Sequence, residues 1–121
     1  MSDDYFRMFR NDTEAQEVAP GETIFRAGDP ADCFYVVRTG SVVIHDGERE
    51  LETLGEGGIF GELAIVDGQP RSASATAVGA TTVVPIDERR FRRLVQETPY
   101  FAQAVMRVMA ERLRRNGAAS L

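Results

Sequence analysis

The sequence predicts a mostly β domain, a sandwich, jelly roll or barrel, closed at its C-terminal end by two helices. Two observations carry this. From about residue 18 to residue 86, turn signals recur every several residues: Pro20-Gly21, Gly28-Asp29-Pro30, Gly40, Asp46-Gly47, Gly55, Gly57-Gly58, Gly68 and Gly79. Between them lie only short β-prone runs. Beyond residue 86 the apolar spacing becomes helical, with residues suited to helix ends at its borders.

Residues 3–9 read as a short N-terminal helix with Tyr5, Phe6 and Phe9 on one side. The β-prone runs are residues 23–25, 34–38, 42–45, 51–54, 74–78 and 81–86. Asp46-Gly47 lies between two of them, a strong hairpin signal. Asp87 suits the N-cap of a helix over 88–96, where Phe91, Leu94 and Val95 have helical spacing. Thr98 then caps a second helix with Pro99 at its first position, where the missing N–H costs nothing. That helix runs to about Arg115 and stops near Asn116-Gly117. Its apolar residues, from Phe101 and Ala102 through Val105, Met106, Val108 and Met109 to Leu113, form a stripe wider than one contact face requires. The surplus offers a surface to a second copy of the chain or to an effector protein. The expected organisation is one domain over residues 1–121, with a barrel over about 18–86 and helices over about 87–97 and 98–116.

With 121 residues and 43% hydrophobic composition, the chain can build one core. No apolar run approaches the ~18–20 residues of a membrane helix. The acidic start and the single cysteine, Cys33, fit a cytoplasmic chain without disulfides. Net charge is −5, against generic nucleic-acid binding. Residues 1–86 carry −9 and residues 87–121 carry +4, and every basic residue is arginine. An acidic body repels anions at long range, so a phosphate site would need a local arrangement to overcome that field. His45 reads as a strand residue beside the hairpin, and Cys33 as a small buried apolar residue. One histidine cannot make the ligand cluster of a typical metal site, which leaves a cupin-type metalloenzyme without its ligands. Arg89-Arg90 and Arg92-Arg93 read as a solvated helix face.

One stretch concentrates chemistry: Phe60-Gly61-Glu62-Leu63-Ala64, then Arg71-Ser72-Ala73. Gly61 permits a tight turn. Residues 62–66 can form one helical turn whose free N–H groups suit an anion. Arg71 offers a planar fork of donors for phosphate oxygens. Ser72 adds a hydroxyl, and Ala73 is small enough for a ligand to reach the main chain. A 3′,5′-cyclic nucleotide matches these needs: one phosphate for Arg71 and the amides, one free ribose hydroxyl to donate to Glu62. An ordinary surface ion pair between Glu62 and Arg71 is the bland alternative.

The stretch resembles the phosphate-binding cassette of the cyclic nucleotide-binding domain family, which includes the bacterial catabolite activator and the regulatory subunits of cyclic-AMP-dependent kinase. Pro20-Gly21-Glu22-Thr23-Ile24-Phe25 with Gly28-Asp29, and Phe34-Tyr35-Val36-Val37 with Gly40, resemble its early turn and strands. The resemblance spans residues 18–97 and implies an eight-stranded jelly roll flanked by helices. It implies that Glu62 accepts from the ribose 2′-OH and that Gly61 and Leu63 form the cassette turn. Ala64 and Ala73 present backbone N–H groups, Arg71 holds phosphate, and Ser72 touches phosphate or a guanine amino group. Ile65 matches an apolar relay to the helical part. The expected function is non-enzymatic: a receptor for cyclic AMP, or less readily cyclic GMP, with no further cofactor and no metal. About six residues follow the last helix, so DNA reading is not expected within this chain and something else must act on the signal. A jelly-roll interaction module that has lost its ligand is the competing reading.

Overall fold

The computed structural model describes Phe9 and residues 12–115. Most of the expected N-terminal helix lies outside these residues. The described part holds eight strands: β1 (Gln16–Val18), β2 (Thr23–Phe25), β3 (Cys33–Thr39), β4 (Val42–Asp46), β5 (Arg49–Leu54), β6 (Ile59–Phe60), β7 (Ser74–Ala77) and β8 (Thr81–Asp87). Three helices join them: α1 (Glu62–Asp67), α2 (Glu88–Glu97) and α3 (Pro99–Arg115). The strands form two four-stranded antiparallel sheets, β1-β8-β3-β6 and β2-β7-β4-β5. This is the expected jelly roll.

The six β-prone runs all become strands, with ends shifted by a residue or two. β1 and β6 are additions. Gln16-Glu17-Val18 holds a single β-prone residue, and Ile59-Phe60 is only two residues long. The β4–β5 hairpin turns on Gly47-Glu48, one residue later than Asp46-Gly47, because Asp46 still pairs with Arg49. Pro85 is tolerated within β8 because β1 pairs only as far as Val83, leaving Pro85 no strand to donate to on that side.

β3 and β8 are apolar on both faces, and this divides the interior in two. Val37 and Val83 face the second sheet with Val42, Phe60 and Ala75. Phe34, Val36, Val84 and Ile86 face the other way, toward Leu94 of α2 and Phe101 and Val105 of α3. Phe34 lies at the centre of this helical side, edge-on to Phe91 at 5.3 Å and stacked with Phe101 at 6.3 Å.

Asp87 caps α2 as expected, its carboxylate accepting from the Arg90 N–H at 2.8 Å. Thr98 takes the expected N-cap position, directly before Pro99, and serves the preceding helix as well. It ends α2, its N–H donating to the Leu94 carbonyl, while its own carbonyl accepts from Phe101 and Ala102 of α3. Arg90 departs from the solvated arginine face. It turns inward, pairs with Asp12 and lies over the Phe9 ring at 5.4 Å. Arg89, Arg92 and Arg93 stay exposed, Arg92 bridging to Glu88 at 2.8 Å. Among the described residues no helix is long and apolar enough to cross a membrane.

Candidate functional site

The cassette begins where β6 ends. Phe60 is fully buried and stacks on Tyr35 at 5.2 Å, and Phe25 packs beside both rings. The chain then turns sharply through Gly61 at φ 83, ψ 5, a left-handed conformation, and enters α1. A Cβ at Gly61 would lie 2.6 Å from an Arg71 guanidinium nitrogen. Gly61→Ala is therefore expected to cost about 1–2 kcal/mol from the backbone alone, and to displace the Arg71 head. A urea midpoint equal to wild type would show that neither effect operates.

Arg71 is held from both ends. Its backbone exchanges hydrogen bonds with the early turn, Arg71 N–H donating to Asp29 at 2.9 Å and Gly28 N–H donating to Arg71 at 2.8 Å. That turn is the Gly28-Asp29 of the sequence reading, so the two motifs form one construction. Its guanidinium donates to the carbonyls of Gly61 at 3.0 Å and Cys33 at 2.5 Å, over the Phe25 ring at 4.1 Å. Two of its five donors are thereby used. The side chain is buried, and its Nε has no partner.

Glu62, only 1% exposed, does not pair with Arg71. Its Oε1 accepts from Arg112 of α3 at 2.5 Å, while Oε2 is buried and unpartnered. The surface ion pair considered for Glu62 and Arg71 is therefore not formed. Arg112 also donates to Glu52 of β5 at 3.1 Å and to the Ile59 carbonyl at 2.7 Å, and Arg115 reaches Glu52 at 3.0 Å. Burial alone would lower the Arg112 pKa, but Glu62 and Glu52 override it and raise the pKa. Burial likewise raises Glu52, and the bonds and charges of Arg112 and Arg115 bring it below the usual carboxylate range.

These groups line a cavity of about 320 Å³, within the ~300–1,000 Å³ range of small-ligand pockets. All seven sequence-predicted residues, Gly61, Glu62, Leu63, Ala64, Arg71, Ser72 and Ala73, border it. Ser72 is exposed, and Ala73 is buried. The first amides of α1 have no carbonyl partner within the helix, and the Gly61 cap brings no side chain to them. Four arginines face three glutamates around the cavity, a local positive excess within an acidic roll. Ile65 packs against the helical core cluster, where its expected relay role would place it.

Cys33 is half-buried rather than a core residue, and burial raises its thiol pKa, which disfavours the reactive thiolate. His45 is bound at both nitrogens, to the Gly47 carbonyl and the Thr76 hydroxyl, each at 2.8 Å. Glu52 and Phe25 also neighbour the cassette, and nothing in the sequence marks either as doing so. Arg112 belongs to an arginine-rich helix end, and nothing local marks which arginine points inward.

A family model for the cyclic nucleotide-binding domain matches residues 15–98. The chain is 37% identical over 100 residues to a CRP-like cAMP-activated global transcriptional regulator of Mycobacterium tuberculosis, covering 78% of this chain and 45% of that protein. It thus spans less than half the length of that relative. The catabolite activator protein of Thermus thermophilus is similar in structure, with TM-score 0.76 and 30% identity over 87% of this chain and 52% of that one. The EAL enzyme Bd1971 in its cAMP-bound form matches with TM-score 0.63 and 33% identity, over 84% of this chain and 29% of that one. Its cGMP-bound form matches with TM-score 0.66 and 33% identity, over 88% and 30%. With the matched region covering well over half its length, this chain belongs to the cyclic nucleotide-binding domain family.

Proposed function

We propose that this chain is a receptor module for a 3′,5′-cyclic nucleotide, cyclic AMP before cyclic GMP, and that it regulates rather than catalyses. The observation that carries the reading is that two residues lining one cavity each hold a buried polar atom without a partner. Glu62 Oε2 can only accept, and Arg71 Nε can only donate. Leaving such groups buried without partners is costly, so a ligand that satisfies both gains that difference. A ribose hydroxyl meets the first and a phosphate meets the second. Ser72 at the cavity border and the amides of Ala64 and Ala73 would complete the phosphate's surroundings. Cyclic AMP is preferred because the mycobacterial relative is described as cAMP-activated. Bd1971 has been solved with either nucleotide, so cyclic GMP remains an arm of the test.

Output would pass through α1 to the helices. Ile65 touches the cluster that seats Phe101 and Val105 of α3, so a shift of the cassette alters that packing. The nucleotide can move the helices only by binding one arrangement more tightly. Met106 and Leu113 of α3 are 57% and 49% exposed, apolar surface for a second copy or an effector.

The test is a thermal-shift comparison of cyclic AMP, cyclic GMP and 5′-AMP. A ligand at one hundred times its dissociation constant adds about 2.7 kcal/mol. Stabilisation by a cyclic form and none by 5′-AMP is the expected result. Equal stabilisation by all three would reject the reading.

A further inference from the structure

We propose that Glu52 is a positioning residue: by dividing Arg112 between two carboxylates, it keeps one oxygen of Glu62 free of a protein donor, for the ligand's ribose hydroxyl to claim. The proposal rests on the cyclic nucleotide reading of the same site. A guanidinium facing a lone carboxylate favours the two-pronged geometry, with both oxygens engaged. Arg112 does not meet Glu62 in this way. One terminal nitrogen donates to Glu62 Oε1, while Nε donates to Glu52 at 3.1 Å and the other terminal nitrogen lies 3.4 Å from Glu52 and 2.7 Å from the Ile59 carbonyl. The two-pronged edge of the guanidinium is thus turned toward Glu52. Glu62 Oε2 is left buried and unpartnered.

The charges around this arrangement balance. Glu52 and Glu62 face Arg112 and Arg115, and of the two glutamates Arg115 bridges to Glu52. Glu52 is held in its carboxylate form by those arginines despite partial burial. In Glu52→Gln the neutral amide no longer competes for the Arg112 edge. Arg112 can then turn to engage both oxygens of Glu62, and the ribose hydroxyl loses its acceptor. The same change removes one negative charge beside the cavity, which favours the phosphate. The ribose contact and the phosphate contact therefore respond in opposite directions, and simple destabilisation of the fold would not separate them.

The experiment titrates wild type, Glu52→Gln and Arg115→Gln with cyclic AMP and with its 2′-deoxy analogue. Wild type should prefer the ribo form by about tenfold or more, the effect of one hydrogen bond to a charged group. Glu52→Gln should bring that ratio close to one while binding the deoxy form at least as tightly as wild type. Arg115→Gln should keep the wild-type ratio, because the Glu52–Arg112 contact survives. The ratio is internal to each variant, so a partly unfolded preparation lowers both affinities together and leaves it readable. A Glu52→Gln variant that keeps the wild-type ratio overturns the proposal, as does an Arg115→Gln variant that loses it equally. A wild type that binds both forms alike overturns the assignment of Glu62 to the ribose, and this proposal with it.

Discussion

Replacing Arg71 with alanine is expected to weaken cyclic nucleotide binding by about 2–5 kcal/mol, the usual range for truncating one partner of a buried charge pair. Titration calorimetry of the two proteins measures it. The size follows from where the guanidinium sits. It is 5% exposed, stacked on Phe25, and fixed through backbone bonds to the turn at Gly28 and Asp29. Arg112, which also lines the cavity, is committed to Glu62, Glu52 and the Ile59 carbonyl. Arg71→Ala also strips the Gly61 and Cys33 carbonyls of a donor, at about 1–3 kcal/mol for each that stays dry. Binding must therefore be measured well below the lowered melting temperature. Arg71→Lys separates charge from shape. A lysine keeps the positive charge but cannot hold two carbonyls and a phosphate in one plane, so it should recover only part of the loss. Wild-type affinity in the alanine variant would remove Arg71 from the phosphate.

Arg71 and Glu62 also show how far the sequence could be read. Their place on one loop was legible because Gly61, Gly68 and Pro70 mark its turns and the carboxylate and fork suit a ribose phosphate. Their separation was not legible. That Glu62 turns to Arg112, fifty residues on, depends on how α3 crosses the roll, and no local period encodes that. The same holds for Arg90, whose neighbours stay in solvent while it folds onto Phe9 and Asp12. β-prone runs set between turn signals, such as β3 and β8, were legible. β1 and β6 are defined by their partners alone, Gln16 by Val83 and Phe60 by Tyr35. Phe25 was visible as a strand residue. Its role as the platform under Arg71 needed the bulged pairing of β2 with β7 as well as the roll around it.

Phe101→Ala is expected to cost about 3–5 kcal/mol of stability, read as a lowered urea midpoint. Phe101 is fully buried in the first turn of α3, edge-on to Phe9 at 5.6 Å and stacked with Phe34. The space it leaves cannot close easily, because Phe34 is fixed by the pairing of β3 with β8. Against a typical total stability of about 5–15 kcal/mol, the loss is a large fraction. The slope of the urea transition carries the mechanistic content, since it scales with the surface exposed on unfolding. If roll and helices unfold as one unit, the midpoint falls and the slope stays. If α3 detaches first, the slope falls too, and only the roll's own transition remains. The one-unit outcome is expected because α3 is anchored twice, by Phe101 and Val105 in its first half and by Arg112 near its end, about 16 Å along the axis from Phe101. That second anchor lies on the proposed ribose acceptor. Loosening the first should therefore weaken nucleotide binding as well, although Phe101 does not line the cavity. Loss of stability with unchanged affinity would show that α3 keeps Arg112 in place without its aromatic seat, and would break the proposed link between cassette and helices.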